Sequence, residues 1–193
     1  MPDQYKIALR DTIKQVRSKI SSTYRRSSSI QICTRIKFLD EFRQAQRIAL
    51  YVAVNGEVDL TPIWKHAHEQ GKTCYFPALN DDKTLLFLPA TPITTFKNNK
   101  YDIPEPDVDK SQAISPKEMD LIIMPLVAFD ARCTRLGMGA GYYDRTLENK
   151  PTIPLFGVAY QFQRVDFIEP QSWDIPLDAV ITQNAIYWRN YLI

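Results

Sequence analysis

Leu121-Ile122-Ile123-Met124, Leu155-Phe156-Gly157-Val158-Ala159 and Ala179-Val180-Ile181-Thr182 are the three stretches on which the fold turns. Each is a short unbroken apolar run rather than an alternating one, the pattern of a strand covered on both faces. Between the first two lie a glycine-rich loop and a helix predicted to start near Tyr142. An earlier run, Ile48-Ala49-Leu50-Tyr51-Val52-Ala53-Val54, reads as a further buried strand, ended by Asn55-Gly56. A helix covering Leu60 to Gln70 follows, with Asp59 placed to cap it and Gly71 at its C-terminal end. Thr73-Cys74-Tyr75-Phe76-Pro77 and Thr84-Leu85-Leu86-Phe87-Leu88 flank the polar turn Asn80-Asp81-Asp82 and are predicted to pair as a hairpin. Apolar strands alternating with helices define the class: a layered, Rossmann-like α/β domain with a largely parallel sheet flanked by helices.

Working outward, the first forty-odd residues contain no Gly and, after Pro2, no Pro. Leu9, Ile13, Val16 and Ile20, then Ile32, Ile36, Leu39 and Phe42, recur at helical spacing. Two N-terminal helices are therefore expected over residues 1–45, divided near Ser21-Ser22 or Ser27-Ser28-Ser29 and packed against the sheet. Residues 46–193 form the α/β core, and the whole chain, 1–193, is expected to be one domain. Pro89, Pro92, Pro104, Pro106 and Pro116 mark an extended surface segment, because Pro fixes φ and cannot donate to a ladder.

The balance of charge limits the partners. Among 193 residues, 24 Lys+Arg face 22 Asp+Glu, a net +2, too even for a protein that lives on nucleic-acid phosphates or an anionic membrane. No apolar run approaches the roughly 20 residues of a spanning helix. The opening Met1-Pro2-Asp3-Gln4-Tyr5-Lys6 lacks the pattern of a signal peptide. Cys33, Cys74 and Cys133 are odd in number and outside any CxxC spacing, which argues against a disulfide framework or zinc module and fits a reducing cytoplasm. A cytoplasmic monomer acting on small molecules is the expectation.

Three of the six glycines fall within five residues, in Arg135-Leu136-Gly137-Met138-Gly139-Ala140-Gly141-Tyr142-Tyr143-Asp144. A glycine loop that opens a helix presents backbone N–H groups to an anion, and glycines let the backbone approach it closely. Arg135 adds a forked donor for phosphate or carboxylate, and Asp144 is suited to a metal ion that bridges phosphate oxygens. The competing reading is a tight turn with Arg135 and Asp144 paired on the surface.

This loop, preceded by Met124-Pro125 and Phe129-Asp130, resembles the signature of the 5-formyltetrahydrofolate cyclo-ligase family. Lys6-x-x-x-Arg10, Glu57, Ile103-Pro104-Glu105-Pro106, Gly157-Val158-Ala159-Tyr160-Gln161 and the stretch from Trp173-Asp174 to Thr182 match in the family's order. The resemblance spans residues 6 to 182. It departs at Cys133, where relatives usually turn with Gly, at Met138, where a basic residue is common, and at Ala140.

The resemblance implies ATP- and Mg²⁺-dependent closure of 5-formyltetrahydrofolate to 5,10-methenyltetrahydrofolate. It implies that Lys6, Arg10 and the loop Arg135, Leu136, Gly137, Met138, Gly139, Ala140, Gly141, Tyr142 and Tyr143 hold ATP. Arg135, Tyr143 and Asp144 are the implied catalytic residues, and Asp144 and Asp174 the implied Mg²⁺ ligands. Val52, Glu57, Gly139 and Tyr142 would contact the folate, Glu57 at the polar pteridine edge. Without the resemblance, Lys6 and Arg10 read as a solvated basic face, and Asp174 as a turn residue. Asp178 is expected to anchor the last strand. His66 and His68 are expected at the surface, Trp64, Trp173 and Trp188 in packing, and no cysteine in catalysis. The rival readings are a non-catalytic nucleotide-binding protein, and an isomerase or transferase of similar α/β fold. Asp144 and Asp174 beside Lys6 and Arg10 favour the ligase.

Overall fold

The Asp3 carboxylate accepts the Lys6 backbone N–H at 3.2 Å and so caps α1 (Gln4–Lys19). The computed structural model describes residues 3–148 and 152–189. Ser21 caps α2 (Ser22–Lys37) in the same way, through the Tyr24 N–H, so the helices part at Ser21-Ser22. Ser27-Ser28-Ser29 lies inside α2 instead. Ser28 and Ser29 are buried there, and the Ser29 hydroxyl accepts the Asp59 N–H at 3.0 Å. A short α3 (Asp40–Gln44) turns the chain into β1 (Arg47–Ala49).

Here the sequence expectation of a strand through Val54 is corrected. Leu50 N–H still reaches the Tyr75 carbonyl, but Tyr51 hydrogen-bonds through its hydroxyl to the Val58 carbonyl, and the chain leaves the sheet for the Asn55-Gly56 turn. The apolar run continues because Leu50 and Tyr51 stay buried and Val52 to Val54 half-buried, not because the ladder continues. Next comes α4 (Thr61–Glu69). Its N-cap is Leu60, and the Asp59 carboxylate accepts the Thr61 N–H one position further out than expected. Gly71, at φ +73°, ends the turn after α4 as expected.

β2 (Thr73–Leu79) and β3 (Leu85–Ala90) form the expected antiparallel hairpin. The Pro-rich segment is extended but organised: β4 (Phe96–Asn98) pairs with β5 (Pro104–Pro106), and both prolines alternate with Glu105. The Glu105 carboxylate holds the Leu79 N–H and the Asn99 amide, fixing this small sheet to the hairpin. β6 (Leu121–Pro125), the short pair β7 (Ala128–Phe129) and β8 (Arg135–Leu136), and α5 (Tyr142–Thr146) precede β9 (Leu155–Val158). β10 (Ala179–Ile181) and β11 (Ile186–Trp188) complete the described chain.

The main sheet runs β11-β10-β9-β6-β1-β2-β3. All neighbours from β10 to β2 are parallel, and β11 and β3 close the edges antiparallel. Alternation within strands divides their residues between two cores. Ile48, Ile123, Phe156 and Ile181 face α2 and α4, with Ile32, Ile36, Ile63 and Ala67. Ala49, Ile122, Met124, Leu155 and Val180 face Phe129, Leu147 and Leu177. With both faces covered, the central strands β6, β9 and β10 are apolar along their length.

α2 packs on the sheet as expected, but α1 does not. It lies on β7, where Ile13 joins Val127, Ala128, Leu136 and Ile168 in a third cluster. Its buried residues are Lys6, Ile13 and Arg17, while Val16 of the expected stripe is 41% exposed. The helix is turned so that Lys6, Arg10 and Arg17 reach Asp174, the Gly137 carbonyl, and the Asn55 carbonyl with Glu57. No described helix is long and apolar enough to cross a membrane.

Gly157 sits in β9 where a Cβ would come within 2.5 Å of Leu177 Cδ1 and 2.7 Å of Leu126 Cδ2. Both leucines are buried, so neither has free space to yield into. Gly157→Ala is expected to destabilise by about 1–3 kcal/mol through overpacking, measured by denaturant unfolding with an unchanged m-value.

Candidate active site

The parallel strands end their carboxyl edge at Leu50-Tyr51, Leu126 and Ala159-Tyr160, the side on which open α/β sheets bind ligands. The glycine loop reaches that edge from β8. Gly139 and Gly141 have φ of +100° and +69°, the left-handed region that penalises a side chain. At Gly141 a Cβ would also lie 2.8 Å from Arg145 Nη1. Gly137 has neither constraint. Met138 and Ala140 point their side chains outward and are exposed, while Leu136 is buried in the third cluster.

Arg135 and Asp144 do pair, Nη2 to Oδ1, but not on the surface: Arg135 is 8% exposed, with Nη1 toward Met124 Sδ and its guanidinium over the Tyr143 ring. The same Asp144 oxygen accepts the Ile175 N–H at 3.3 Å, which draws α5 against the Asp174 segment. Asp174 Oδ2 accepts the Gln171 N–H at 2.8 Å and lies 3.8 Å from Lys6 Nζ. Arg10 Nε donates to the Gly137 carbonyl at 2.9 Å, and its guanidinium carbon lies 3.5 Å from where a Gly139 Cβ would stand. Lys6 and Arg10 are thus no solvated face. They are fixed on the glycine loop and on Asp174.

Asp144 and Asp174 fit a magnesium ion by donor chemistry. Both are carboxylates with 23% side-chain exposure, and Asp144 Oδ2 and Asp174 Oδ1 have no partner among the described residues. The described residues contain no group of three or more His, Cys, Asp or Glu that would enclose a metal. Mg²⁺ takes hard oxygen ligands and completes its shell with phosphate oxygens and water, so two carboxylates suffice as its protein donors.

Val52 and Glu57 line a cleft of about 360 Å³ with Tyr51, Trp64, Phe76 and Arg25. Glu57 is buried; its Oε2 accepts the Val54 N–H at 3.1 Å, and its Oε1 lies 3.8 Å from Arg17 Nη1. Burial raises its carboxyl above the ordinary value, opposed by Arg17 and the Val54 hydrogen bond. Burial likewise pushes the Tyr143 phenol up, opposed by Arg135. A larger cleft of about 420 Å³, lined by His68, Lys72 and Thr73, lies at the opposite, amino end of the strands. Its one buried cation, Lys72, is already bound to the Arg43 and Ala45 carbonyls, so it offers no chemistry.

Other expectations divide. Asp178 anchors the last strands, accepting the Leu155 N–H and pairing with Arg189. Trp64 and Trp188 pack on Phe76 and Phe156, but Trp173 is 66% exposed beside Asp174 and is not a packing residue. His68 is exposed, whereas His66 is half-buried and stacks on Phe42. Two residues at the site were not singled out from sequence. Tyr101 sets its ring edge-on to Tyr142, a pairing no local pattern announces. Arg17 shares the helical face of Lys6 and Arg10, a signal the spacing did carry.

Fold and site together define a layered α/β domain that gathers a glycine loop, Lys6, Arg10 and the Arg135–Asp144 pair into one place. The 5-formyltetrahydrofolate cyclo-ligase family model matches residues 2–183. The 5-formyltetrahydrofolate cyclo-ligase of Haemophilus influenzae is 36% identical over 182 residues, 92% of this chain and 97% of its own length. That of Escherichia coli K12 is 34% identical, covering 91% and 98%. The NMR structure of Aquifex aeolicus 5,10-methenyltetrahydrofolate synthetase superposes with a TM-score of 0.84 at 31% identity, over 96% of this chain and 93% of that one. The chain belongs to the 5-formyltetrahydrofolate cyclo-ligase family, and is by that membership a ligase of folate chemistry.

Burial raises the thiols of Cys33 and Cys74 to about 12 and that of Cys133 to about 11, so thiolate is scarce near neutral pH. A chromogenic disulfide reagent is expected to leave all three unlabelled in the native protein and to label all three after denaturation.

Proposed function

We propose that this enzyme closes 5-formyltetrahydrofolate to 5,10-methenyltetrahydrofolate with ATP and Mg²⁺, releasing ADP and phosphate. The observation that carries the reading is the seating of Lys6 and Arg10 on the glycine loop and Asp174, beside the Arg135–Asp144 pair. The near-even charge and three buried thiols support a cytoplasmic monomer working on small molecules.

An N-formyl carbon is a poor electrophile because its nitrogen donates into the carbonyl. The formyl oxygen attacks the γ-phosphorus, the bond to the bridging oxygen breaks, and ADP leaves. N10 then attacks the activated formyl carbon and loses its proton, and the former formyl oxygen departs within phosphate. No protein nucleophile is needed; positioning and charge neutralisation suffice. The loop from Arg135 to Tyr143 holds the phosphates by backbone N–H groups, with Gly139 and Gly141 shaping it. Lys6, Arg10 and Arg135 neutralise charge on the moving phosphoryl group. Asp144 and Asp174 would hold Mg²⁺, which supplies charge neutralisation to phosphate oxygens when bound. Those carboxylates are now paired with Arg135 and Lys6, so phosphate and metal would divide two existing ion pairs between them. Val52 and Glu57 receive the folate in the aromatic cleft, and Tyr142, edge-on to Tyr101, contributes a ring to its binding. Tyr143, held protonated, is a hydrogen-bond donor beside Arg135.

The test is formation of the methenyl chromophore from 5-formyltetrahydrofolate with and without Mg·ATP, with ADP measured in parallel. Equal amounts of product and ADP are expected; no product alongside an active relative rejects the reading. A rival binding protein turns over no ATP with any folate.

Arg10→Ala and Lys6→Ala each remove a cation from the proposed phosphate site. A charged hydrogen bond of about 1.5–3 kcal/mol corresponds to about ten- to a hundredfold in affinity. The KM for ATP is expected to rise by that order, with a smaller change in the KM for folate. An ATP dependence equal to the parent's assigns both residues to scaffold.

A further inference from the structure

Lys6, Arg10 and Arg17 stand at i, i+4 and i+11 of α1, within about 40° of one another around the axis. The first two reach Asp174 and Gly137. Arg17, which the steps above do not use, reaches the turn that carries Glu57. Its side chain is almost wholly buried, and Nε donates to the Asn55 carbonyl at 2.9 Å. Nη1 lies 3.8 Å from Glu57 Oε1, and Nη2 has no partner among the described residues. Gly56, at φ +75°, is pressed against this part of α1, since a Cβ there would lie 3.2 Å from the Arg17 carbonyl oxygen.

Glu57 is surrounded from several elements. Arg17 faces it from α1, Tyr51 from the end of β1, and Tyr143 from α5 with Arg135 behind it. Tyr160, after β9, donates its hydroxyl to the Glu57 carbonyl oxygen, and Arg25 and Asp59 line the cleft beyond. A carboxylate this enclosed stays charged only beside a cation.

We propose that Arg17 is a positioning residue for folate recognition: it holds the Glu57 carboxylate charged and aimed, so that Glu57 accepts the N–H donors of the pteridine edge. The proposal rests on the reading of Glu57 as a folate contact. Arg17 is the foremost influence opposing the rise that burial imposes on the Glu57 carboxyl. A purely structural Arg17 would instead serve all of α1, and through it Lys6 and Arg10.

The experiment compares the parent with Arg17→Met, Arg17→Lys, Glu57→Gln and the double variant Arg17→Met/Glu57→Gln. KM for 5-formyltetrahydrofolate and for ATP are followed by ADP release from mildly acidic to mildly alkaline pH. Arg17→Met is expected to raise the folate KM about tenfold or more near neutrality. Without Arg17 the Glu57 carboxyl keeps its proton to higher pH, so this KM should fall again as pH rises. The ATP KM should stay near the parent's, and Arg17→Lys should restore the parent's pH profile. Adding Arg17→Met to Glu57→Gln should change folate KM little. Folate and ATP KM rising together, without pH dependence, overturn the proposal. Should Arg17→Met not fold, calorimetry of folate binding in buffers of different ionisation enthalpy decides. A proton released by the parent but not by Glu57→Gln means Glu57 was neutral beforehand, and overturns it; equal proton release supports it. A parent that forms no methenyl product rejects the function itself. An active parent whose folate KM is unmoved by Glu57→Gln rejects the Glu57 contact, and this proposal with it.

Discussion

Arg10 Nε donates to the carbonyl of Gly137, a residue 127 positions away, and the site depends on the docking that this bond represents. The inward stripe of α1 is mostly cationic: Lys6, Arg10 and Arg17, with Ile13 the apolar member that is fully buried. A buried cation is costly unless it is paired and hydrogen-bonded. The helix can therefore lie flat on β7 only where acceptors wait for each charge. Asp174, the Gly137 carbonyl, and the Asn55 carbonyl with Glu57 are those acceptors. Seating the helix and assembling the site are one event.

The same pairings set the electrostatics. Asp174 meets Lys6 and Asp144 meets Arg135, and the Ile175 N–H on Asp144 binds the two pairs into one patch. The charges largely cancel in the free protein, yet each carboxylate keeps one unpartnered oxygen. A phosphate chain that brings its own cation would offer both signs, so that neither member of these partly buried pairs would be left without a counter-charge.

The loop shows which departures from the family pattern matter physically. Cys133 adopts φ +62°, so the position demands a left-handed backbone, and Cys bears a steric penalty of about 1–2 kcal/mol that Gly avoids. Its buried sulfur, directed at the Tyr187 carbonyl, gives packing that Gly could not. Met138 and Ala140 project outward, so these positions alter what the loop shows to solvent and not its backbone path. Gly139 and Gly141, whose φ values of +100° and +69° favour glycine, are retained.

Much of the fold was legible because a doubly covered parallel sheet leaves a plain mark: Leu121 to Met124, Leu155 to Val158 and Ala179 to Ile181 are apolar at every position, and all three are strands. Asp3 and Ser21 set helix starts by local hydrogen bonds, though only the second was among the expected boundaries. The glycine loop was legible too, since positive φ is a local demand written in residue type. Strand order was not, nor where β1 stops, because Leu50 to Val54 is apolar whether it pairs in the sheet or lines a cleft. The face of α1 was legible in part: Leu9 and Ile13 pack into the third cluster and Ile20 against the first, but Val16 is exposed, because the helix also turned its cations toward acceptors from segments far along the chain. Periodicity records which residues can be buried. Which of them are buried depended on where Asp174, Gly137 and Asn55 arrived, and only the folded chain brought those together.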